Sequence, residues 1–233
     1  MADDSARPER GMGAAAQAIT AVVLVGALAG GMWTLARADA QGSAAREPAT
    51  CSDTGDAPPS KRLSGAQLCT ALNRPDLPAL LGTPEEPARN AYGNDSSTEL
   101  AGGRQIPTPG ATVRFETYTV ELTASYDDLP VAGTADLLGE VAEVKQVLGR
   151  AAVLYSNQTI AITFGGDGAG AGPGGTARSL VVAGDAKDSG GSYELSVWRE
   201  DGMPPDDALV LRVAERVLPA VPGWTAGRLT GRS

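Results

Sequence analysis

The chain has 233 residues, with 28 acidic and 19 basic side chains, no histidine and a net charge of −9. An acidic chain without a basic stripe argues against nucleic-acid binding and against electrostatic docking on anionic lipid. The lack of histidine excludes Ser-His-Asp and Cys-His catalysis and histidine metal sites, and two cysteines cannot form a Cys₄ zinc site.

The first element is an uncharged apolar segment at residues 12–36. A helix of that length reaches about 37 Å, enough to cross a bilayer core of roughly 30 Å. We interpret it as a transmembrane signal anchor that follows a cytoplasmic tail at residues 1–11. The alternative is a cleaved signal peptide that ends before Gln41, but the apolar run is longer than the ~7–15 residues typical of one. The predicted localisation is the cell membrane, single-pass, with the C-terminal domain outside.

The rest of the chain has room for one domain of ordinary size. Residues 37–62 are small and polar and contain proline, which predicts a flexible stalk. An extracytoplasmic domain is expected at residues 63–226, with a tail at 227–233. An even pair of cysteines outside the membrane, Cys51 and Cys69, favours a disulfide, and two separate thiols are the alternative.

The first half of the domain begins with a short helix at residues 65–72, with Ser64 as its N-cap, and a second helical turn at 76–81. Residues 83–109 are rich in proline, glycine, asparagine and serine and are predicted to be mostly loop. Apolar and polar residues alternate along 112–126 as they do in a half-buried strand, but the alternation changes phase near the middle. The phase change indicates a bulge, a bend or two strand segments.

The second half begins with a predicted helix at residues 134–148, where apolar residues recur at 3.6-residue spacing. The later elements are strands at 151–155 and 159–164 joined by a hairpin turn, a flexible glycine-rich connection at 165–175, strands at 179–183 and 193–199, and a helix from 206 to 218. Trp224 is expected to pack back on the body. This order predicts an α+β fold, an antiparallel sheet packed by helices in an α/β sandwich.

Three motifs imitate known sites. Asp188-Ser189-Gly190-Gly191 resembles the nucleophile motif of trypsin-like proteases, but without a histidine base a tight turn is the better interpretation. The glycine-rich segment lacks the following helix that a phosphate loop needs. The pairs Asp127-Asp128 and Asp206-Asp207 lack the spacing of a calcium loop and suit a turn and a helix start. We therefore predict no catalytic residue, no metal site and no cofactor.

Four stretches carry a family resemblance: SGAQLCTALNRPDLPALLG (64–82), RFETYTVELTASYDDLPVAG (114–133), RSLVVAGDAKDSGGSYELSVWREDGMPPDDALVLRVAERVLP (178–219) and PGW (222–224). They resemble an uncharacterised, streptomycete-type family of actinobacterial membrane-anchored proteins, a domain of unknown function. The resemblance covers about residues 59–224 and implies export, but no activity. The order of elements is also similar to that of Mog1/PsbP-like domains.

The favoured function is a non-catalytic binding or adaptor module of the cell envelope, contacting an envelope protein or another envelope component. The alternatives are a carrier of a small apolar ligand and, third, a carboxylate-based hydrolase, which would need two acids facing each other. Four aromatic residues are expected to line either the core or a pocket, with the core favoured: Tyr118, Tyr126, Tyr193 and Trp198.

Overall fold

The computed structural model describes residues 48–53, 62–99, 103–165 and 168–224. The predicted cytoplasmic tail, the anchor at 12–36, most of the stalk and the tail at 227–233 lie outside these residues. No helix within the described ranges is long and apolar enough to cross a membrane. The described residues belong to one compact unit that begins at Pro48.

Strands dominate the described part of the chain. In chain order the elements are β1 (Ser52–Asp53), α1 (Gly65–Leu72), α2 (Leu77–Leu81), β2 (Asn90–Asn94), β3 (Ser97–Glu99), β4 (Gln105–Pro107), β5 (Gly110–Arg114), β6 (Tyr118–Ser125), α3 (Val131–Leu138), β7 (Glu143–Val147), β8 (Arg150–Gly165), β9 (Gly168–Ala183), β10 (Ser192–Arg199) and α4 (Asp207–Val217). Short 3₁₀ turns follow α3 and α4.

Eight strands form one sheet in the order β1-β2-β5-β6-β10-β9-β8-β7. The β1–β2 pair is parallel and every other neighbouring pair in this sheet is antiparallel. β3 and β4 pair with each other as a small separate ribbon. The mainly antiparallel sheet with a few helices confirms the predicted α+β class.

The main core lies between one face of the sheet and the helices α1, α2 and α4. Alternate residues of β6 and β10 point into it, which is why apolar and polar residues alternate along both strands. The largest fully buried apolar side chains include Leu68, Leu72, Leu122, Leu154, Leu180 and Leu195. A smaller cluster on the opposite face packs α3 against Val153, Val181 and Ala183.

Helix α1 begins with Ser64 as its N-cap, as the sequence predicts, and the structure shows a full capping box. The Gln67 backbone N–H donates to Ser64 Oγ at 3.3 Å, and the Ser64 backbone N–H donates to Gln67 Oε1 at 3.0 Å. The helix then passes very close to β2. A Cβ atom on Gly93 would lie 2.2 Å from the carbonyl carbon of Gly65, so only glycine fits at this crossing.

A disulfide joins Cys51 to Cys69, with the two Cα atoms 5.9 Å apart. It fastens β1 to α1, and Asn73 Nδ2 adds a 2.8 Å hydrogen bond to the Ala49 carbonyl. Residues 48–53, within the range expected to be stalk, are therefore attached to the folded unit. Pairing of β1 with β2 completes this attachment.

Residues 83–126 form more strands than the sequence predicts. The phase change in residues 112–126 is confirmed as two strands, β5 and β6, which pair antiparallel on either side of a tight connection. Residues 83–109, predicted to be mostly loop, also contain three short strands that the sequence did not predict, β2, β3 and β4. β2 is short, polar and glycine-containing, and it is a strand because it pairs with β5 and β1 rather than through local propensity.

The predictions for residues 134–175 are confirmed in part, since the strands predicted at 151–155 and 159–164 both lie in β8. The helix expected at 134–148 is α3, which starts at Val131 and ends at Leu138, and the rest of that range includes strand β7. Positive φ angles at Leu148 (51°) and Gly149 (77°) allow the two-residue turn that joins β7 to β8. The turn expected at 156–158 and the loop at 165–175 instead belong to the long hairpin β8–β9, whose ends pair at Gly165 and Gly168.

The last elements follow the predictions. The strand at 193–199 is confirmed as β10 and the final helix as α4. Asp206 is the N-cap of α4, and its carboxylate accepts the Ala208 N–H at 2.9 Å. Asp188 lies in a turn between β9 and β10. Its carboxylate accepts the N–H groups of Val131 (2.7 Å) and Ala132 (3.1 Å), so the protease-like motif caps the start of α3.

Candidate functional site

The face of the sheet opposite α1 and α4, here called the open face, is polar. Cross-strand pairing places one row of side chains on this face, running over six neighbouring strands: Tyr92, Thr112, Glu121, Ser196, Ser179 and Tyr155. The next row along includes Asn90, Arg114, Thr119, Trp198 and Asn157. Since α3 covers only the end of the face near β8 and β9, most of these side chains are reached from outside.

A cleft of about 480 Å³ lies over part of the open face. Its floor consists of Asn90, Tyr92, Thr112, Arg114, Thr119 and Trp198, and its rim includes Arg199, Glu200 and Gly202. A third group, Thr159, Ile160, Gly174 and Gly175, comes from the β8–β9 hairpin. This volume falls within the range of about 300–1,000 Å³ that is typical of small-molecule sites.

The distal part of the β8–β9 hairpin, residues 158–165 and 168–176, is here called the arm. In the sheet four strands separate β2 from β8, yet Tyr92 and Ile160 line the same cleft, so the arm bends over the open face. A bulge at Gln158/Ile160 marks the bend, next to Pro173, which has no N–H for the ladder. Thr159 Oγ1 secures it by donating to the Gly175 carbonyl at 2.9 Å.

Charge in the cleft is balanced by hydrogen-bonded ion pairs. Arg114 Nη2 donates to Glu200 Oε2 at 2.9 Å, and Thr119 Oγ1 donates to Glu200 Oε1 at 2.7 Å. Arg199 at the rim is bound to Asp201 and to the Tyr118 hydroxyl, and the guanidinium holds the pKa of Asp201 at about 2. The cleft therefore offers hydroxyl, amide and indole groups without an excess charge of either sign.

Two carboxylates, Glu121 of β6 and Glu194 of β10, lie beside the cleft on the same face, diagonally across the strand pair. Burial raises the pKa of Glu121, and the negative charge of Glu194 raises it further. Tyr155 Oη donates to Glu194 Oε1 at 2.6 Å, and the pKa of Tyr155 is raised by burial and by that carboxylate. Ser179 and Ser196 complete the network, with their hydroxyls 2.7 Å apart.

The four aromatic residues named from the sequence do not meet in one place. Tyr118 is buried in the main core, whereas Trp198 lines the cleft on the open face. Tyr126 and Tyr193 line a separate pocket of about 300 Å³ near Arg62 and Gly223, and the Tyr126 hydroxyl accepts the Leu63 N–H at 2.7 Å.

Strand alternation explains the division of these aromatics, because Tyr193 and Trp198 are five residues apart and so lie on opposite faces. No sequence pattern predicted the residues that make the open face polar, among them Thr112, Arg114, Glu121, Glu194 and Glu200. One signal was present: Thr119, Glu121 and Thr123 alternate with buried residues of β6. The pairing that brings β2, β5, β6 and β10 together was not readable from this alternation.

Within the described residues no three acidic or cysteine side chains are grouped so that they could hold a metal ion. The pair Asp127-Asp128 forms the predicted turn, in which Asp127 accepts the Leu129 N–H at 3.0 Å. Asp185 accepts the Lys187 N–H at 2.6 Å in the turn before β10. Asp127, Asp188 and Asp206 therefore serve a turn and the starts of α3 and α4, whereas Asp128 and Asp207 form ion pairs with Arg104 and Arg178.

The fold and the polar cleft together define an α+β domain with a candidate binding site. Residues 9–141 match the family of unknown function DUF6215, and the chain belongs to this family. The match covers more than half of the chain and includes the cleft residues of β2, β5 and β6, but not those of β8, β9 and β10. It also begins and ends earlier than the expected resemblance over residues 59–224.

A comparison with curated proteins finds no match, and neither does a comparison with solved structures. The similarity to Mog1/PsbP-like domains and the actinobacterial origin therefore remain predictions from the sequence.

Proposed function

We propose that this chain is a membrane-anchored, extracytoplasmic binding or adaptor module of an actinobacterial cell envelope, and that its partner binds in the cleft on the open face. The observation that carries the proposal is the cleft itself, whose polar floor comes from four strands and whose roof is the arm. Polar groups that converge on a concave site with two aromatic side chains, Tyr92 and Trp198, are typical of binding sites.

The partner is a polar envelope component. An apolar ligand would leave the hydroxyls and amides of the floor without water or partners, at a cost of about 1–3 kcal/mol for each. A second cavity, between α3 and β7, has mainly apolar lining, but its volume of about 220 Å³ is below the usual range for ligand sites. The carrier of a small apolar ligand is therefore the weaker alternative.

The test is cross-linking on intact cells that express tagged full-length protein, followed by mass spectrometry of the captured components. Trp198→Ala removes the indole from the floor. Lys187→Ala, the matched control, changes an exposed residue in the turn before β10. Recovery of one defined component by the wild type and the control, but not by Trp198→Ala, would support the proposal. Equal recovery by all three proteins, or no specific component, would reject it.

The membrane anchor has its own test. We expect the membrane fraction to contain the protein at its full mass of 23.6 kDa. A mature chain that begins at Gln41 would show that the apolar segment is a cleaved signal peptide. In either case the domain would be exported, in agreement with the Cys51–Cys69 disulfide.

A carboxylate-based hydrolase is a second candidate, favoured by one observation. Glu121 and Glu194 are neighbours on the open face, and the pKa of Glu121 is raised, as a general acid requires. The decisive assay compares wild type with Glu121→Gln on a panel of envelope oligosaccharides and peptides. Hydrolysis by the wild type that is lost in Glu121→Gln would show that the protein is an enzyme. A wild type that hydrolyses no member of the panel would rule out this function.

A further inference from the structure

Strand β7 ends the sheet, and among the described residues it pairs only with β8. The two-residue turn makes Val147 and Arg150 the hydrogen-bonded pair next to it. In an antiparallel ladder such pairs alternate, so the backbone groups of Val144 and Gln146 point away from β8. The outer edge of β7 therefore presents unpaired N–H and C=O groups, which can template another strand.

Three large apolar side chains that precede β7 in the chain or belong to it are exposed. Leu137 is 77% exposed, Val141 59% and Val144 76%. Val144 also lines the small apolar cavity beside α3, together with Val131 and Val153. These three exposed side chains and the outward backbone groups of β7 are here called the β7 edge. An open strand with an apolar border is an interaction surface unless it is shielded.

We propose that the β7 edge is the interface of a homodimer, in which β7 pairs antiparallel with β7 of a second copy about a two-fold axis at Val144. In this register Glu143 of each copy lies opposite Lys145 of the other, so opposite charges meet twice. On the other face of the ribbon the two Val144 side chains contact each other. An interface of this kind is self-complementary, as a two-fold axis requires.

Neighbouring registers are less favourable. An axis at Lys145 would place the two lysines directly opposite each other, and like charges in that position are destabilising. An axis at Gln146 would leave Glu143 and Lys145 without opposite charges across the interface. Within one chain Lys145 Nζ already lies 3.1 Å from Glu143 Oε2, and Arg178 Nη2 donates to Glu143 Oε1. Both side chains stay partly exposed, Glu143 at 45% and Lys145 at 36%, so each ion pair can be shared with the opposite charge of a second copy. β7 and β2 lie towards opposite ends of the strand order, so dimerisation does not require the cleft.

The first test is sedimentation of the full-length protein over a range of concentrations. We expect twice the mass of the 23.6 kDa chain at high concentration. Val144→Lys places a charge on the axis and should raise the dimer dissociation constant at least tenfold. Ile160→Lys is the matched control, since Ile160 on the arm is 77% exposed, and it should leave that constant unchanged. A wild-type protein that stays monomeric at every concentration would overturn the proposal. The same holds if the β7 edge binds a different protein instead of a second copy.

The second test checks the register. Both native cysteines are in a disulfide, so a single added cysteine is the one free thiol among the described residues. Two Val144→Cys residues would have Cα atoms about 5.5 Å apart, within disulfide range. Two Gln146→Cys residues, on the same face and equally on the edge, would be about 13 Å apart. Mild oxidation should cross-link Val144→Cys alone, and equal or preferential cross-linking of Gln146→Cys would contradict the proposed axis.

Discussion

The guanidinium carbon of Arg150 lies 3.4 Å from the centre of the Trp224 ring. Arg150 is 1% exposed, and its Nη1 donates to the Ala183 carbonyl at 3.1 Å and also to the Gly184 carbonyl. The Trp224 ring in turn contacts Tyr193, with the ring centres 5.6 Å apart. Burial lowers the pKa of Arg150, and the aromatic ring and the two carbonyls offset only part of the hydration that the guanidinium loses.

Trp224→Ala should therefore destabilise the domain. It removes half-buried aromatic surface and uncovers one side of a buried guanidinium, for a loss of about 2 kcal/mol in the free energy of unfolding. Urea denaturation of the full-length protein measures this loss. Trp198→Ala is the matched control, because Trp198 lines the open cleft and should cost less than half as much. Equal losses for both variants would contradict a structural role specific to Trp224.

The crossing of α1 and β2 should not tolerate a side chain. In Gly93→Ala the new methyl group would overlap the backbone of Gly65, and relief requires α1 to move away from the sheet. We expect a loss of about 3 kcal/mol or more in the free energy of unfolding, measured by urea denaturation. Gly172→Ala has open space around its Cβ and should change stability by less than about 0.5 kcal/mol. Similar stabilities for the two variants would contradict the close approach.

The disulfide should contribute stability by restricting the unfolded chain. It closes a loop with a sequence separation of 18, which corresponds to about 3 kcal/mol in the chain-entropy model. The double variant Cys51→Ala/Cys69→Ala should lose about that amount, and reducing agent should lower the stability of the wild type similarly. A thiol assay on unreduced, denatured wild type should detect no thiol. Two reactive thiols in that assay would disprove the bridge.

Glu121 should make stability depend on pH. Its pKa in the folded protein lies above the ordinary value of 4.5, so the folded state binds more protons than the unfolded state as the pH rises past 4.5. Stability is therefore lost with rising pH until Glu121 is ionised in both states. Glu121→Gln removes the penalty and should be more stable than wild type at pH 8, with the advantage vanishing below pH 4.5.

Urea denaturation of wild type and Glu121→Gln at several pH values measures this difference. Glu215→Gln, an exposed acid on α4, controls for the change in net charge. If Glu121→Gln were no more stable than wild type at pH 8, or if Glu215→Gln showed the same gain, the unfavourable environment of Glu121 would be disproved.

Local signals explain which elements were predictable. Ser64 as an N-cap identified α1, and the alternation within residues 112–126 identified the buried face of β6. The helix predicted at 134–148 rests on the helical spacing of Leu137, Val141 and Val144, but all three side chains are exposed. Their spacing does not define a buried face, and β7 is a strand because it pairs with β8.

The candidate site depends on pairing between distant segments. Tyr92, Thr112, Glu121 and Ser196 lie in one row only because β2, β5, β6 and β10 are neighbours in the sheet. The arm was missed because glycine and alanine have weak strand propensity, so β9 follows from its partner β8 rather than from its own composition. The class of fold was therefore predictable, whereas the position of the cleft was not.

The most direct test of the binding function places a photo-activated cross-linking residue at position 160, on the arm above the cleft. The matched control carries the same residue at position 187, exposed in the turn before β10. On intact cells, the full-length protein with the probe at 160 should capture a defined polar envelope component, and Trp198→Ala in the same protein should abolish the adduct. An adduct formed equally from position 187, or unchanged by Trp198→Ala, would contradict a binding site in the cleft.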